Sequence, residues 1–106
     1  MNLSIRSEQT GNVHHIDLAG EIDAYTVPQL REAVMPLAKE ADTTIVVNFE
    51  NVEYIDSTGL GTFVGILKAT DAHGSELTLK GMSDRIKRLF SITGLDEVIN
   101  IKEGQS

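Results

Sequence analysis

There is no cysteine in these 106 residues, which excludes disulfides, thiol nucleophiles and a secreted scaffold stapled by bridges. Tryptophan is absent too, and two tyrosines and three phenylalanines make up the whole aromatic complement, so the core must be mainly aliphatic. Cations are scarce: nine Lys and Arg stand against sixteen Asp and Glu, giving a formal net charge of −7 and a pI near 4.8. Nucleic acid and anionic membranes select for clustered Lys and Arg, so neither is expected as the main partner. A basic protein surface is the better match. No apolar run approaches the ~18 residues of a membrane-spanning helix. The opening Met1-Asn2-Leu3-Ser4-Ile5-Arg6 lacks the charged start and apolar core of a secretory signal, and a cytoplasmic location is expected.

What is present is ordinary for a folded domain: 41% hydrophobic and 24% charged residues, in a chain long enough to bury roughly two thirds of its unfolded surface. One domain spanning 1–106 is expected, ordered over about 2–101 and ending in a polar tail, Lys102 to Ser106, that should fray. A monomer is the default.

Leu3 and Ile5, then Val13, Ile16 and Leu18, flank Thr10-Gly11-Asn12 and predict an N-terminal β-hairpin. Thr26-x-x-Gln29 reads as a capping box, with Pro28 tolerated in the first turn, for a helix bearing Leu30, Val34, Leu37 and Ala41. Pro36 should kink that helix or tighten its last turns. Thr44 to Phe49 is a β-branched strand suited to a sheet centre, and Val52 to Ile55 is a further short segment. Leu60, Phe63, Val64 and Leu67 form the apolar stripe of the next helix, and Gly74 suits a left-handed stop. Glu76 to Lys80 alternates as a strand, and Ser83 caps a helix burying Ile86, Leu89 and Phe90. Gly94 closes it, and Val98 to Ile101 is the last strand. Strands alternating with helices imply an α/β fold, a mixed, mainly parallel sheet of about five strands with the hairpin at one side and three or four helices. The loops at Gly20 to Tyr25 and Ile55 to Gly61 should then emerge side by side at the carboxyl ends of their strands.

The second loop, Asp56-Ser57-Thr58-Gly59-Leu60-Gly61, places a hydroxyl where a strand gives way to a helix. Helix N-termini carry unpartnered N–H groups and partial positive charge, and a phosphoryl group on Ser57 or Thr58 would be well received there. Ser and Thr are also ordinary N-caps. Gly59 and Gly61 each sacrifice about 1 kcal/mol of helix propensity, consistent with close approach of another backbone. Competing chemistries fail on residue content. A hydrolase nucleophile elbow needs Gly two positions before the Ser, where Ile55 stands. A P-loop needs a Lys after its glycines, and none follows Gly61. A receiver domain with Asp56 as acceptor lacks the acidic pair that would hold magnesium. His14 and His15 alternate across a strand and cannot ligate one metal together.

Three segments in register, Leu18-Ala19-Gly20-Glu21-Ile22-Asp23-Ala24-Tyr25-Thr26, Tyr54-Ile55-Asp56-Ser57-Thr58-Gly59-Leu60-Gly61 and Ser83-Asp84-Arg85-Ile86 through Gly94-Leu95, resemble the anti-sigma-factor antagonists. These are small STAS-domain proteins, and the closest resemblance is to those of the bacterial general-stress sigma-B pathway. The resemblance implies a single STAS domain that acts by partner switching in transcription regulation. Unmodified, such a protein binds an anti-sigma factor that is itself a serine kinase and so frees the sigma factor. Phosphorylation on the residue matching Ser57 inactivates it, and a metal-dependent serine phosphatase reverses that. The chain would be a substrate and a ligand, not an enzyme, with no cofactor or metal of its own, since the kinase brings ATP and magnesium. The resemblance assigns Glu21, Asp23, Tyr25, Asp56, Ser57, Thr58, Gly59, Leu60 and Gly61 to the partner surface. The other reading is a nucleotide-binding or regulatory STAS domain outside any sigma pathway.

Overall fold

The Gly11-Asn12 pair turns β1 (Leu3–Thr10) back onto β2 (Val13–Ile22) in antiparallel register from Thr10↔Val13 to Leu3↔Gly20. Gly11 sits at φ 62°, the backbone region a two-residue hairpin demands at its first central position. The computed structural model describes residues 2–102, so the expectation for Glu103 to Ser106 lies outside the described residues. From β2 the chain continues through α1 (Val27–Ala38), β3 (Thr44–Ile55), α2 (Ser57–Ala72), β4 (Glu76–Lys80), α3 (Asp84–Ile92), a 3₁₀ turn over Leu95–Glu97 and β5 (Asn100–Lys102). The strands form one sheet in the order β1-β2-β3-β4-β5, antiparallel only at the hairpin. This is the mixed α/β sheet expected, with three α-helices among the described residues. Lys102, expected in the tail, pairs with Lys80 in the last strand.

Where sequence and structure differ, packing supplies the reason. The two apolar segments expected over 44–49 and 52–55 are one strand. Between Asp17 and Ala19 of β2, and again between Gly20 and Glu21, β3 advances one residue more than its partner, so it carries two bulges. Each bulge shifts the side-chain phase by one: Ile45, Val47 and Phe49 are buried two apart, then Val52 and Ile55 three apart. The polar stretch Asn48 to Asn51 is accommodated by this irregularity, with the Asn48 side chain accepting from the Glu50 amide at 3.0 Å.

The capping box at α1 lies three residues earlier than expected. Thr26 stands at the helix start in a helical conformation, φ −97° and ψ −17°, and its hydroxyl makes no forward cap. Instead the Asp23 amide donates to Thr26 Oγ1 at 2.9 Å, and the Thr26 amide donates to Asp23 Oδ1 at 3.0 Å. That is a reciprocal box with Asp23 as the cap and Thr26 in the third position. Gln29 reaches away to the Leu3 carbonyl, 2.8 Å. Pro36 lies in the final turn, and the helix ends two residues on. The buried stripe is accordingly Val27, Leu30, Val34 and Ala38, and Ala41 is exposed beyond the helix.

On α2 the deep positions are Leu60, Phe63 and Ile66, while Val64 and Leu67 are half-buried. Phe49 ties the layers together: its ring centroid lies 5.3 Å from Phe63 on α2 and 6.1 Å from Phe90 on α3, the latter edge-on at 90°. Both helices therefore pack on the sheet face bearing Ile45, Val47 and Phe49. Ser83 caps α3 through the Ile86 amide at 3.3 Å, as expected. The last strand starts at Asn100, because Leu95 to Glu97 forms the 3₁₀ turn and Val98 remains exposed. Phe49 is fully buried, and Phe49→Ala is expected to lower stability by about 3–5 kcal/mol, read as a lower urea midpoint at unchanged slope.

Candidate functional site

The last pair in the β2–β3 ladder is Ile22↔Ile55, and the two loops singled out from the sequence leave the sheet immediately after it. The Asp56 amide donates to the Ile22 carbonyl at 3.1 Å, so the loops are joined covalently to one ladder and by hydrogen bond to each other. Gly59 then closes over both isoleucines. A Cβ there would lie 2.7 Å from Ile55 Cγ1 and 2.8 Å from Ile22 Cγ2, so only glycine lets α2 descend this far. Gly61 is different, since a Cβ there meets nothing within 4 Å. The two glycines expected to admit another backbone thus divide: Gly59 serves the chain's own packing, and Gly61 faces open space.

Asp56 is the N-cap of α2, with φ −105° and ψ −175°, and its Oδ1 accepts from the Gly59 amide at 2.9 Å. Neither Ser57 nor Thr58 is consumed as a cap. Both are exposed in the first turn, where their amides have no carbonyl one turn behind them. The Thr58 carbonyl accepts from Thr62 Oγ1 at 2.9 Å. A hydroxyl thus stands free beside unpartnered N–H donors at the positive end of a sixteen-residue helix.

On the β2 side, Asp23 is 5% exposed. Its Oδ1 accepts from the Tyr25 and Thr26 amides at 2.9 and 3.0 Å, while its Oδ2 has no hydrogen-bond partner. Thr26 Oγ1 donates to the Glu21 carbonyl at 2.8 Å, completing a rigid turn. Glu21, Asp23, Ala24, Tyr25, Tyr54 and Asp56 line one cavity of about 350 Å³. Four of the residues expected at the site, Glu21, Asp23, Tyr25 and Asp56, are therefore brought together, with Ser57 directly following Asp56. Leu60, only 9% exposed, and Gly59 lie within the core, so any effect they have on the surface is through the placement of α2.

Tyr54 is an addition to the residues expected. The sequence signal available was its place at the head of the Tyr54-to-Gly61 segment; in the structure all three phenylalanines are fully buried, whereas Tyr25 and Tyr54 are 82% and 50% exposed on the same cavity. A ring with a polar tip suits such a wet rim. His14 and His15 lie on opposite faces; His14 is buried and its Nε2 is 2.9 Å from Glu40 Oε1. Among the described residues no group of three or more His, Asp or Glu side chains converges as a metal site requires. No helix among them is long and apolar enough to cross a membrane.

The sequence matches the family model of the STAS domain over residues 4–104. The chain belongs to the STAS domain family. It is 47% identical over 104 residues to an anti-sigma-B factor antagonist of Staphylococcus aureus, covering 98% of this chain and 96% of that protein. A second anti-sigma-B factor antagonist, from Staphylococcus epidermidis, is 44% identical with the same coverage. Among solved structures, the Bacillus cell fate determinant SpoIIAA in its phosphorylated form superimposes with a TM-score of 0.77 at 27% identity, covering 97% of this chain and 93% of that one.

Within this STAS domain the contrast between the two glycines is measurable. Gly59→Ala should cost about 1–3 kcal/mol through overpacking against Ile22 and Ile55. Gly61→Ala should be neutral or gain up to about 1 kcal/mol of helix propensity. Chemical denaturation of the two variants distinguishes them.

Proposed function

We propose that this STAS domain is an anti-sigma-factor antagonist whose binding is switched off by phosphorylation of Ser57. In this reading the unmodified chain docks in the cytoplasm on an anti-sigma factor with serine kinase activity, releasing the sigma factor for transcription. A metal-dependent serine phosphatase restores the bare hydroxyl. The observation that carries it is the exposed, uncommitted Ser57 at the first position of α2, with Asp56 holding the cap in its place. The high identity to proteins named anti-sigma-B factor antagonists and the likeness to a phosphorylated SpoIIAA support the same assignment. Glu21, Asp23, Tyr25, Asp56, Thr58 and Gly61 would contribute the surface around the hydroxyl, and Gly61 leaves room for the kinase backbone.

Electrostatics set the direction of the switch. A phosphoserine carries about −1.5 to −2 charges at neutral pH, here beside Asp56 on a chain already at −7. Against a partner carboxylate about 6 Å away, each added charge costs on the order of 3 kcal/mol at an effective dielectric near 20, or roughly a hundredfold in affinity. The first turn of α2 receives the phosphate without refolding, so release needs only the new charge and its bulk at a close interface. The chain itself supplies no catalytic group, and the kinase supplies nucleotide and magnesium.

Incubation with a cognate anti-sigma kinase and magnesium-ATP should add one phosphate to Ser57, seen by mass spectrometry, and none to Ser57→Ala. Phosphate on Thr58 in that variant would move the acceptor by one residue. Ser57→Ala should stay bound to the kinase through ATP addition, and Ser57→Asp should bind about tenfold or more weakly. Stable nucleotide binding by the chain alone, with no mass gain, would favour a nucleotide-sensing STAS domain instead.

A further inference from the structure

The hairpin leaves β1 at one end of the sheet, with β2 as its only strand partner among the described residues. Which of its backbone groups are free follows from parity. The two-residue turn closes on the Thr10↔Val13 pair, so Thr10, Glu8, Arg6 and Ser4 direct their N–H and C=O groups toward β2. The same parity appears at the start of the strand. The Asn2 carbonyl accepts from the Glu21 amide at 2.9 Å, whereas the Leu3 carbonyl points the other way and accepts from Gln29 of α1 at 2.8 Å. Beyond that contact, Ile5, Ser7 and Gln9 direct their backbone groups out of the sheet.

Natural sheets protect such an edge with proline, charged side chains, a bulge or a covering element. β1 holds no proline, its register with β2 is unbroken for eight residues, and its two charges, Arg6 and Glu8, are of opposite sign, so they deter only registers that set like against like. Gln29 covers only the first residue of the strand.

The strand is also complementary to itself. When two copies of β1 pair antiparallel through their outward amides, odd residues face odd residues. The pairing can centre on Arg6, on Ser7 or on Glu8. Centring on Arg6 sets Arg6 against Arg6 of a second copy, and centring on Glu8 sets Glu8 against Glu8, both unfavourable. Centring on Ser7 sets Ile5 against Gln9 and places Arg6 opposite Glu8 twice, in the closer non-hydrogen-bonded pairs.

We propose that β1 is a self-association edge, through which two copies of this chain join their sheets across Ser7 in the register that pairs Arg6 with Glu8. Charge selects the register, and a second copy supplies it in full. The contact is centred opposite Ile16 of β2, while Ser57 and the tyrosine-lined cavity follow the far ends of β2 and β3. The pair would therefore present two switchable sites at once, in place of the monomer expected from the sequence. An edge contact of this size falls among the small, weak interfaces, so assembly should be concentration-dependent.

Sedimentation of the intact chain up to about 1 mM should show its mass rising from 11.6 kDa toward twice that value, in the range of a weak interface. Ser7→Pro removes an outward N–H that β2 does not use and should leave a folded monomer. Arg6→Glu and Glu8→Arg should each weaken association about tenfold by setting like charges opposite each other. The double reversal Arg6→Glu with Glu8→Arg should restore it, a result that loss of fold cannot mimic. A chain that stays monomeric throughout, or a dimer indifferent to the charge reversals, would overturn the proposal.

Discussion

The arrangement depends on the final contact of the β2–β3 ladder, where Ile22 and Ile55 lie side by side and Gly59 packs across both. Two parallel strands ending on the same pair bring two loops to one place, a general property of open α/β sheets at their carboxyl ends. Here the coupling is tightened by the Asp56 amide bonding the Ile22 carbonyl, and by a helix that can approach only because residue 59 has no side chain. Displacing α2 outward would move Asp56, Ser57 and Thr58 together, away from Asp23 and Tyr25. Core packing and surface geometry are thus one constraint.

Two polar devices hold the two loops in place. Asp23 and Thr26 exchange hydrogen bonds across the start of α1, and Asp56 caps α2. Each carboxylate takes a structural duty that a hydroxyl nearby could have taken, and the consequence differs at the two ends. Thr26 is absorbed into its box and is 4% exposed. Ser57 is released to solvent. In the function proposed here, a phosphate added to that hydroxyl would disturb no internal hydrogen bond, so its effect would fall on the docking partner through charge.

Much of this was legible in the linear chain. Periodicity, β-branched runs and turn residues located the three helices and the strands to within a few residues, although β3 was read as two segments, and the Asp-Ser-Thr-Gly segment marked the strand-to-helix junction. The misreadings share one physical origin: a local pattern whose partner lies elsewhere in the fold. Thr26 with Gln29 has the spacing of a capping box, yet Gln29 is drawn to the Leu3 carbonyl and Thr26 pairs backward with Asp23. Glu50 and Asn51 look like the end of a strand, yet β3 continues through them because β2 tolerates its extra residues. Gly59 and Gly61 look equivalent, and only the neighbours of each separate a packing glycine from an open one. Tyr54 gave no periodic sign, since the bulges decide which way it faces.

The sequence by itself determined the class of fold, the order of elements, the acidic character that disfavours nucleic acid, and the position of the hydroxyl at the head of a helix, because each of these is carried by local composition and spacing. Tertiary structure decided the rest: that Asp56 and not Ser57 is the cap, that the two tyrosines share a cavity with three carboxylates, and that β1 ends the sheet with an edge met by Gln29 at Leu3. Those facts depend on which residues meet across long separations in the chain, and strand register, set by bulges and by side chains from other elements, is what brings them together.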